Sequence, residues 1–171
     1  MSFMPTETQK ALTYQINQAF AQWFEESAGI YTPSKRNKNT NLFSEFLNNK
    51  MAVIRAISEG IPYNLFALIA QLTPFTEEDW SKFLSLSTKS LQRYKQNEQR
   101  FKPLQSEKII ALAEVTRMGE DVMGSTKAFM QWLETPNYAL GKVAPISLLS
   151  NAYGKDLVMA ELHRINHGIL V

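Results

Sequence analysis

The chain has 171 residues, of which 44% are hydrophobic and 20% charged, with a formal net charge of +2 and no cysteine. This composition suits one or two small domains with a hydrophobic core, and the lack of cysteine excludes disulfides, thiol catalysis and cysteine zinc sites. No apolar run approaches the ~20 residues of a membrane span, and no secretory signal opens the sequence, so we expect a cytoplasmic protein without a membrane partner.

In the first third of the sequence, the apolar residues recur with the spacing of helices. One helix is expected over about residues 7–27, followed by the basic loop of residues 30–40, which is either a DNA-backbone arm or a solvated linker. A second helix is expected over about residues 41–60, and Pro62 fits the first turn of another. The expected inward positions of the second helix are Phe43, Phe46, Leu47, Val53, Ile54 and Ile57.

The stretch Thr76–Tyr94 predicts a helix-turn-helix, two short helices that share a small core. Thr76, with Asp79 three residues on, resembles a capping box, and Ser87 is a candidate N-cap for the second helix. Ser85 stands in the turn where glycine is usual, because that position often needs a positive φ.

The outer side of the second helix carries hydrogen-bond donors that can reach phosphates and base edges. The predicted DNA-binding residues are Ser87, Thr88, Lys89, Gln92 and Arg93. From Lys82 to Lys102 there are six basic residues and one acid, Glu98, which leaves a local charge of +5. This charge favours nucleic acid as the partner, although similar helix pairs occur in proteins that never touch DNA.

The helix expected after Pro103 is apolar on more than one side, which predicts that it is the most buried element. Ser106 is its predicted N-cap. A β-hairpin would need runs of alternating apolar and polar residues separated by a turn sequence, and the chain has no such run with a hairpin turn. We therefore predict an all-α fold.

The C-terminal third predicts short helices joined by structured loops. Ser125 or Thr126 begins one helix, residues 136–141 form a loop, and Pro145 starts another helical turn. The last helix is expected over residues 155–166, with Gly168 as its cap. Its expected inward positions are Leu157, Val158, Leu162 and Ile165.

The run from Phe129 to Leu170 resembles the toxin-binding domain of the Xre/MbcA/ParS-type antitoxins. The matching pieces are Trp132-Leu133, Thr135-Pro136-Asn137, Ala139-Leu140-Gly141, Pro145, Leu148-Leu149, Gly154, Arg164-Ile165 and His167-Gly168. Pieces farther upstream match the family's Xre-like helix-turn-helix part in order and spacing: Gly60-Ile61-Pro62, Leu86-Ser87, Leu91, Arg93 and Ser106-Glu107. Each piece alone is a weak signal, but the ordered set is specific.

The resemblance covers about Gly60 to the C-terminus and implies an antitoxin, for which we expect three parts. These are a helical N-terminal extension at residues 1–59, an Xre-like helix-turn-helix core at residues 60–119 and a small helical toxin-binding domain at residues 120–171. Such a protein binds and occludes a RES-domain toxin, an enzyme that breaks down NAD, and represses its own operon by binding operator DNA. The alternative is a stand-alone helix-turn-helix transcriptional regulator without a toxin partner.

The resemblance also implies that the chain end lies against the toxin's NAD cleft. The implied toxin-binding residues are Trp132, Asn137, Leu140, Arg164, Asn166, His167, Gly168, Ile169, Leu170 and Val171. The chain departs from the family pattern at two positions. Lys142 replaces the usual second glycine after Leu-Gly, and Ala144 replaces the usual threonine before proline.

No catalytic constellation appears in the sequence. His163 and His167 have the spacing of two metal ligands, but there is no third ligand nearby, so we expect no metal, no cofactor and no enzymatic activity. Reading two DNA half-sites requires a two-fold dimer, so we expect a homodimer and, with the toxin, a hetero-oligomer. The N-terminal aromatics Phe20, Trp23 and Phe24 either form that dimer interface or cover the chain's own core.

Overall fold

The computed structural model describes residues 7–26 and 42–168, so the basic loop of residues 30–40 and the chain end at residues 169–171 lie outside it. Its described part is built from helices, and the predicted all-α fold is confirmed. The helices are α1 (Glu7–Glu26), α2 (Leu42–Asn48), α3 (Lys50–Glu59), α4 (Tyr63–Leu72), α5 (Glu77–Leu84), α6 (Thr88–Gln96), α7 (Pro103–Met123), α8 (Thr126–Glu134), α9 (Pro145–Leu148) and α10 (Ala152–Asn166), with a 3₁₀ turn at Tyr138–Leu140. None of these helices is long and apolar enough to cross a bilayer.

The chain divides into two compact units. Among the described residues, the first comprises residues 7–26 and 42–69 with Arg93–Ile110, and the second comprises Ala70–Gln92 and residues 111–168. Helices α6 and α7 each run from one unit into the other.

In the first unit, α1 packs against α2 through aromatic side chains. The Phe20 ring lies 5.3 Å from that of Phe43 and 5.0 Å from that of Phe46, and the Trp23 ring meets Phe46 edge-on at 6.0 Å. Phe20 and Trp23 are buried, so they cover the chain's own core, and their interpretation as dimer contacts is wrong. The side chain of Phe24 is not among those described.

The single helix expected over residues 41–60 is two helices, because Asn49 interrupts it. Asn49 has an extended backbone, and its side chain accepts a hydrogen bond from the backbone N–H of Ala52 at 3.1 Å, which caps α3. The break resets the helical phase, and α3 buries Ala52, Val53 and Ala56. Ile54, expected to point inward, is 55% exposed.

Ser106 is not the N-cap of α7. The helix begins at Pro103, whose fixed φ suits a first turn, and Ser106 lies inside the helix and is fully buried. Its hydroxyl accepts a hydrogen bond from the Ile61 N–H at 2.9 Å and donates one to the Phe101 carbonyl at 3.2 Å. The side chain thus joins the residues before α4 to those before α7.

The last helix begins three residues earlier than expected. Asn151 caps α10 by accepting a hydrogen bond from the Gly154 N–H at 2.9 Å, so Gly154 is helical. A Cβ at Gly154 would lie 2.0 Å from the Leu148 carbonyl oxygen, so only glycine allows α9 to pack this closely. With Gly154, Val158 and Leu162 on the buried face of α10, Leu157, expected to point inward, is 56% exposed.

The loop before α9 holds both departures from the family pattern. Asn137 pairs with the far side of the loop, since its N–H donates to the Val143 carbonyl at 3.0 Å and its carbonyl accepts from the Lys142 N–H at 2.8 Å. Lys142 has a φ of 64°, in the left-handed region that glycine favours. Ala144 is the N-cap of α9 and makes no side-chain cap bond.

We predict that Ser106→Ala lowers the free energy of unfolding by ~1–3 kcal/mol, because the buried Ile61 N–H loses its acceptor. Urea denaturation of the full chain measures the change. Ser58→Ala is the matched control, since Ser58 is exposed and its hydroxyl bonds only within α3, to the Ile54 carbonyl. Equal losses in the two variants would contradict the bridging role of Ser106.

We predict that Ala144→Thr is more stable than Ala144→Val by ~1 kcal/mol, because a hydroxyl at an N-cap accepts a backbone hydrogen bond that an isosteric methyl cannot. Thermal unfolding of the two variants measures the difference, and their similar size cancels packing effects. Equal melting temperatures would mean that the start of α9 gains nothing from the family's threonine.

Candidate DNA-binding and protein-binding surfaces

The turn between α5 and α6 has the geometry of a Schellman motif. The Leu86 N–H donates to the Ser81 carbonyl at 3.0 Å, and the Ser85 N–H donates to the Lys82 carbonyl at 3.1 Å. Ser85 has a φ of 53°, so this position needs the left-handed conformation without having glycine. The predicted capping box at the start of α5 is confirmed, with Thr76 and Asp79 bonding each other's backbone N–H groups.

Helix α6 is fixed by its cap and its inner face. The Ser87 hydroxyl accepts a hydrogen bond from the Ser90 N–H at 3.0 Å, as its predicted N-cap role requires. Leu91 is buried, and the Tyr94 ring stacks on that of Phe101 at 4.6 Å with planes 6° apart. The helix is followed by a second left-handed residue, Glu98, with a φ of 47°.

The outer face of α6 brings the predicted DNA-binding residues together. Lys89 and Arg93, four residues apart, lie on the side of α6 opposite Leu91, and Thr88 and Gln92, also four apart, lie on its flank. All four are exposed, and Ser87 is exposed beside them at the cap. This side of the helix presents two cations, an amide and a hydroxyl to solvent.

Basic charge is concentrated on α6 and the residues after it. Lys82 of α5 belongs to the basic block, but its Nζ lies 2.9 Å from a Glu78 carboxylate oxygen. The hydrogen bond to Glu78 raises the pKa of Lys82, and the negative charge of Glu78 offsets the positive charge of Lys82. Lys89, Arg93, Lys95 and Lys102 are exposed cations of α6 and its exit.

Three of the predicted toxin-binding residues contribute to the fold of their own chain. Trp132 is half-buried, and its ring stacks on that of Phe129 at 6.1 Å. The Asn137 side chain caps the 3₁₀ turn by accepting a hydrogen bond from the Ala139 N–H at 2.8 Å. Leu140, in that turn, is also half-buried.

Arg164 is paired within α10. Its guanidinium donates to a Glu161 carboxylate oxygen at 2.9 Å, and Glu161 is buried with only 9% of its surface exposed. A buried carboxylate needs such a partner, so Arg164 has a structural role.

The end of α10 is exposed at Asn166, His167 and Gly168. The remaining predicted toxin-binding residues, Ile169, Leu170 and Val171, lie outside the described residues. His163 and His167 are both exposed, and across residues 7–26 and 42–168 no group of three metal-ligating side chains comes together.

Sequence reasoning missed the exposed apolar side chains of the C-terminal region. Tyr153 is 87% exposed and Tyr138 77%, while Leu157 and Val143 are 56% and 40% exposed. The signal for part of this set was present in the sequence, because Tyr153 and Leu157 have the i, i+4 spacing of one helix face once Gly154 is allowed to be helical.

Comparison with known proteins gives matches along most of the chain. Residues 52–114 match the antitoxin Xre-like helix-turn-helix domain, and residues 118–168 match the antitoxin Xre/MbcA/ParS C-terminal toxin-binding domain. An antitoxin Xre of Photorhabdus laumondii is 26% identical over 145 residues, which is 82% of this chain and 98% of that protein. An antitoxin Xre of Yersinia enterocolitica is 24% identical over 143 residues, 81% of this chain and 97% of that protein.

The two domain matches occur in the order expected from the sequence, and both relatives are matched over nearly their whole length. The helix-turn-helix match includes α5, its turn and α6, and the toxin-binding match includes α8, α9 and α10. The chain belongs to the Xre/MbcA/ParS-type antitoxins of toxin–antitoxin systems.

Proposed function

We propose that this antitoxin neutralises a RES-domain toxin that breaks down NAD, and that it represses its own operon through α5, the turn and α6. One observation carries the proposal: a helix-turn-helix with an exposed, basic outer face occurs in the same chain as a toxin-binding domain. We propose the same three parts as above, at residues 1–59, 60–119 and 120–171. The protein acts without catalysis of its own.

In the proposed DNA complex, α6 lies in the major groove. Lys89, Gln92 and Arg93 face the base edges, because an arginine can contact a guanine with two hydrogen bonds and a glutamine can do the same with an adenine. Thr88 and Ser87 lie at the amino end of the helix and contact the phosphate backbone. A homodimer would present two copies of α6 about one helical turn of DNA apart.

In the proposed toxin complex, affinity comes from apolar burial rather than charge. Residues 125–171 carry four basic residues against three acids, a net charge of +1. The basic residues are Lys127, Lys142, Lys155 and Arg164, and the acids are Glu134, Asp156 and Glu161. Charge steering is weak for such a segment, so a few buried anchors must supply the binding free energy. The chain end then covers the NAD cleft and excludes the substrate.

We predict that Lys89→Ala with Arg93→Ala weakens operator binding by at least ~1–3 kcal/mol, because a base contact of Arg93 and a cation are both lost. Electrophoretic mobility shift at several salt concentrations measures the change. The control is Lys127→Ala with Lys142→Ala, which removes the same charge from exposed residues outside α6. Operator binding that is unchanged in the α6 variant would remove this helix from the DNA interface.

We predict that a chain lacking Gly168–Val171 folds and binds operator DNA but neutralises the toxin poorly. Burying two aliphatic side chains contributes ~3–6 kcal/mol by area, from which the costs of association are subtracted. The readouts are cellular NAD in cells that also express the toxin, the melting temperature and operator binding. If the tail instead packs on its own domain, the melting temperature falls and both activities are lost together.

The same NAD measurement separates the antitoxin from a stand-alone regulator. An antitoxin keeps NAD at its normal level when its cognate RES-domain toxin is expressed with it. A full-length chain that binds the operator but leaves NAD to fall would favour the regulator without a toxin partner.

A further inference from the structure

Helix α10 has two apolar faces, and only one of them is buried. The buried face contains Gly154, Val158 and Leu162, with the paired Glu161 beside them. A second row of side chains follows the spacing i, i+4, i+7 and i+11, which places its members on one face of a helix. We call this row the α10 stripe, and its residues are Tyr153, Leu157, Ala160 and Arg164.

Tyr153, Leu157 and Ala160 of the α10 stripe are exposed where an amphipathic helix normally presents polar groups, and Arg164 is half-buried. Tyr153 is 87% exposed and Leu157 is 56% exposed, and both are large hydrophobic side chains. Single exposed hydrophobic residues are common on proteins, but a contiguous row of them marks an interaction site more often. Tyrosine and arginine, which begin and end the stripe, are the side chains most enriched among residues that dominate binding energy.

Arg164 is held in place at the end of the stripe. Its bond to the buried Glu161 at 2.9 Å fixes the guanidinium on the surface of the helix. A guanidinium has five N–H donors, so this bond orients the group and leaves donors for a partner. A charged group that is already ordered loses less conformational entropy when it binds.

We propose that the α10 stripe is the main anchor of this chain on its toxin. Tyr153 and Leu157 insert into an apolar pocket of the toxin, and Arg164 meets a carboxylate at the rim of that pocket. The inference rests on the proposed function, and it moves the anchor from the chain end to the helix before it. The stripe lies entirely within residues 118–168, the range that matches the toxin-binding domain, and it leads directly to the exposed residues Asn166–Gly168.

The test uses the full chain and its purified cognate RES-domain toxin. We expect Tyr153→Ser with Leu157→Ser to bind the toxin at least ~30-fold more weakly than the wild type in calorimetry, as loss of an interface anchor would. The melting temperature and operator binding should not change, because both side chains are exposed. The matched control is Met51→Ser with Ile54→Ser, an exposed apolar pair on α3 that is 73% and 55% exposed, and it should bind like the wild type.

A second measurement does not depend on substitution by a smaller side chain. A photoreactive benzoylphenylalanine at Tyr153 should cross-link to the co-expressed toxin, identified by mass. The same group at Tyr14, a tyrosine of α1 that is 63% exposed, should not.

The outcomes separate the two proposals. If the stripe variant binds the toxin as tightly as the wild type does, and the photoreactive group at position 153 does not cross-link to the toxin, the α10 anchor is overturned and the proposed function stays intact. A stripe variant that sediments as a smaller species, while its toxin affinity is unchanged, would assign the stripe to a second copy of this chain and overturn the proposal. A wild-type chain that binds no toxin would overturn both.

Discussion

The surface on which α6 packs depends on a buried serine hydroxyl. Ser106 accepts the Ile61 N–H and donates to the Phe101 carbonyl, and the Phe101 N–H in turn donates to the Ile61 carbonyl at 2.8 Å. The Phe101 ring is the surface on which Tyr94 of α6 stacks. The Ile61 N–H and the Phe101 carbonyl would be costly to bury without partners, and the Ser106 hydroxyl satisfies both. The same hydrogen bonds fix Phe101, on which Tyr94 of α6 stacks.

The sequence was sufficient to predict those features of the structure that depend on neighbouring residues alone. The capping box of Thr76, the cap at Ser87 and the outer face of α6 each depend on residues within one or two turns, so their patterns could be recognised. Asn49 and Gly154 were misjudged because each has two local interpretations. Asn49 can lie within a helix or cap one, and Gly154 can end a helix or let another backbone approach. Contacts distant in sequence, such as that of Gly154 with the Leu148 carbonyl, decide between them.

The family motifs located the C-terminal domain but did not separate structural residues from contact residues. Trp132, Asn137 and Arg164 match the family pattern, and each makes contacts that hold its own chain together. A family motif indicates that a residue type is required at a position. The requirement can come from a contact within the chain's own fold or from a contact with a partner. Side-chain exposure helps to distinguish them, and for residues of α10 it becomes known only when the phase of that helix is known.

Residues at positive φ flank α6, with Ser85 before the helix and Glu98 after it. A residue other than glycine costs roughly 1–2 kcal/mol in that conformation, so both ends of the helix are closed by strained backbone. Glycine adopts this conformation without that steric cost, so both ends of α6 are places where a single substitution would relieve backbone strain.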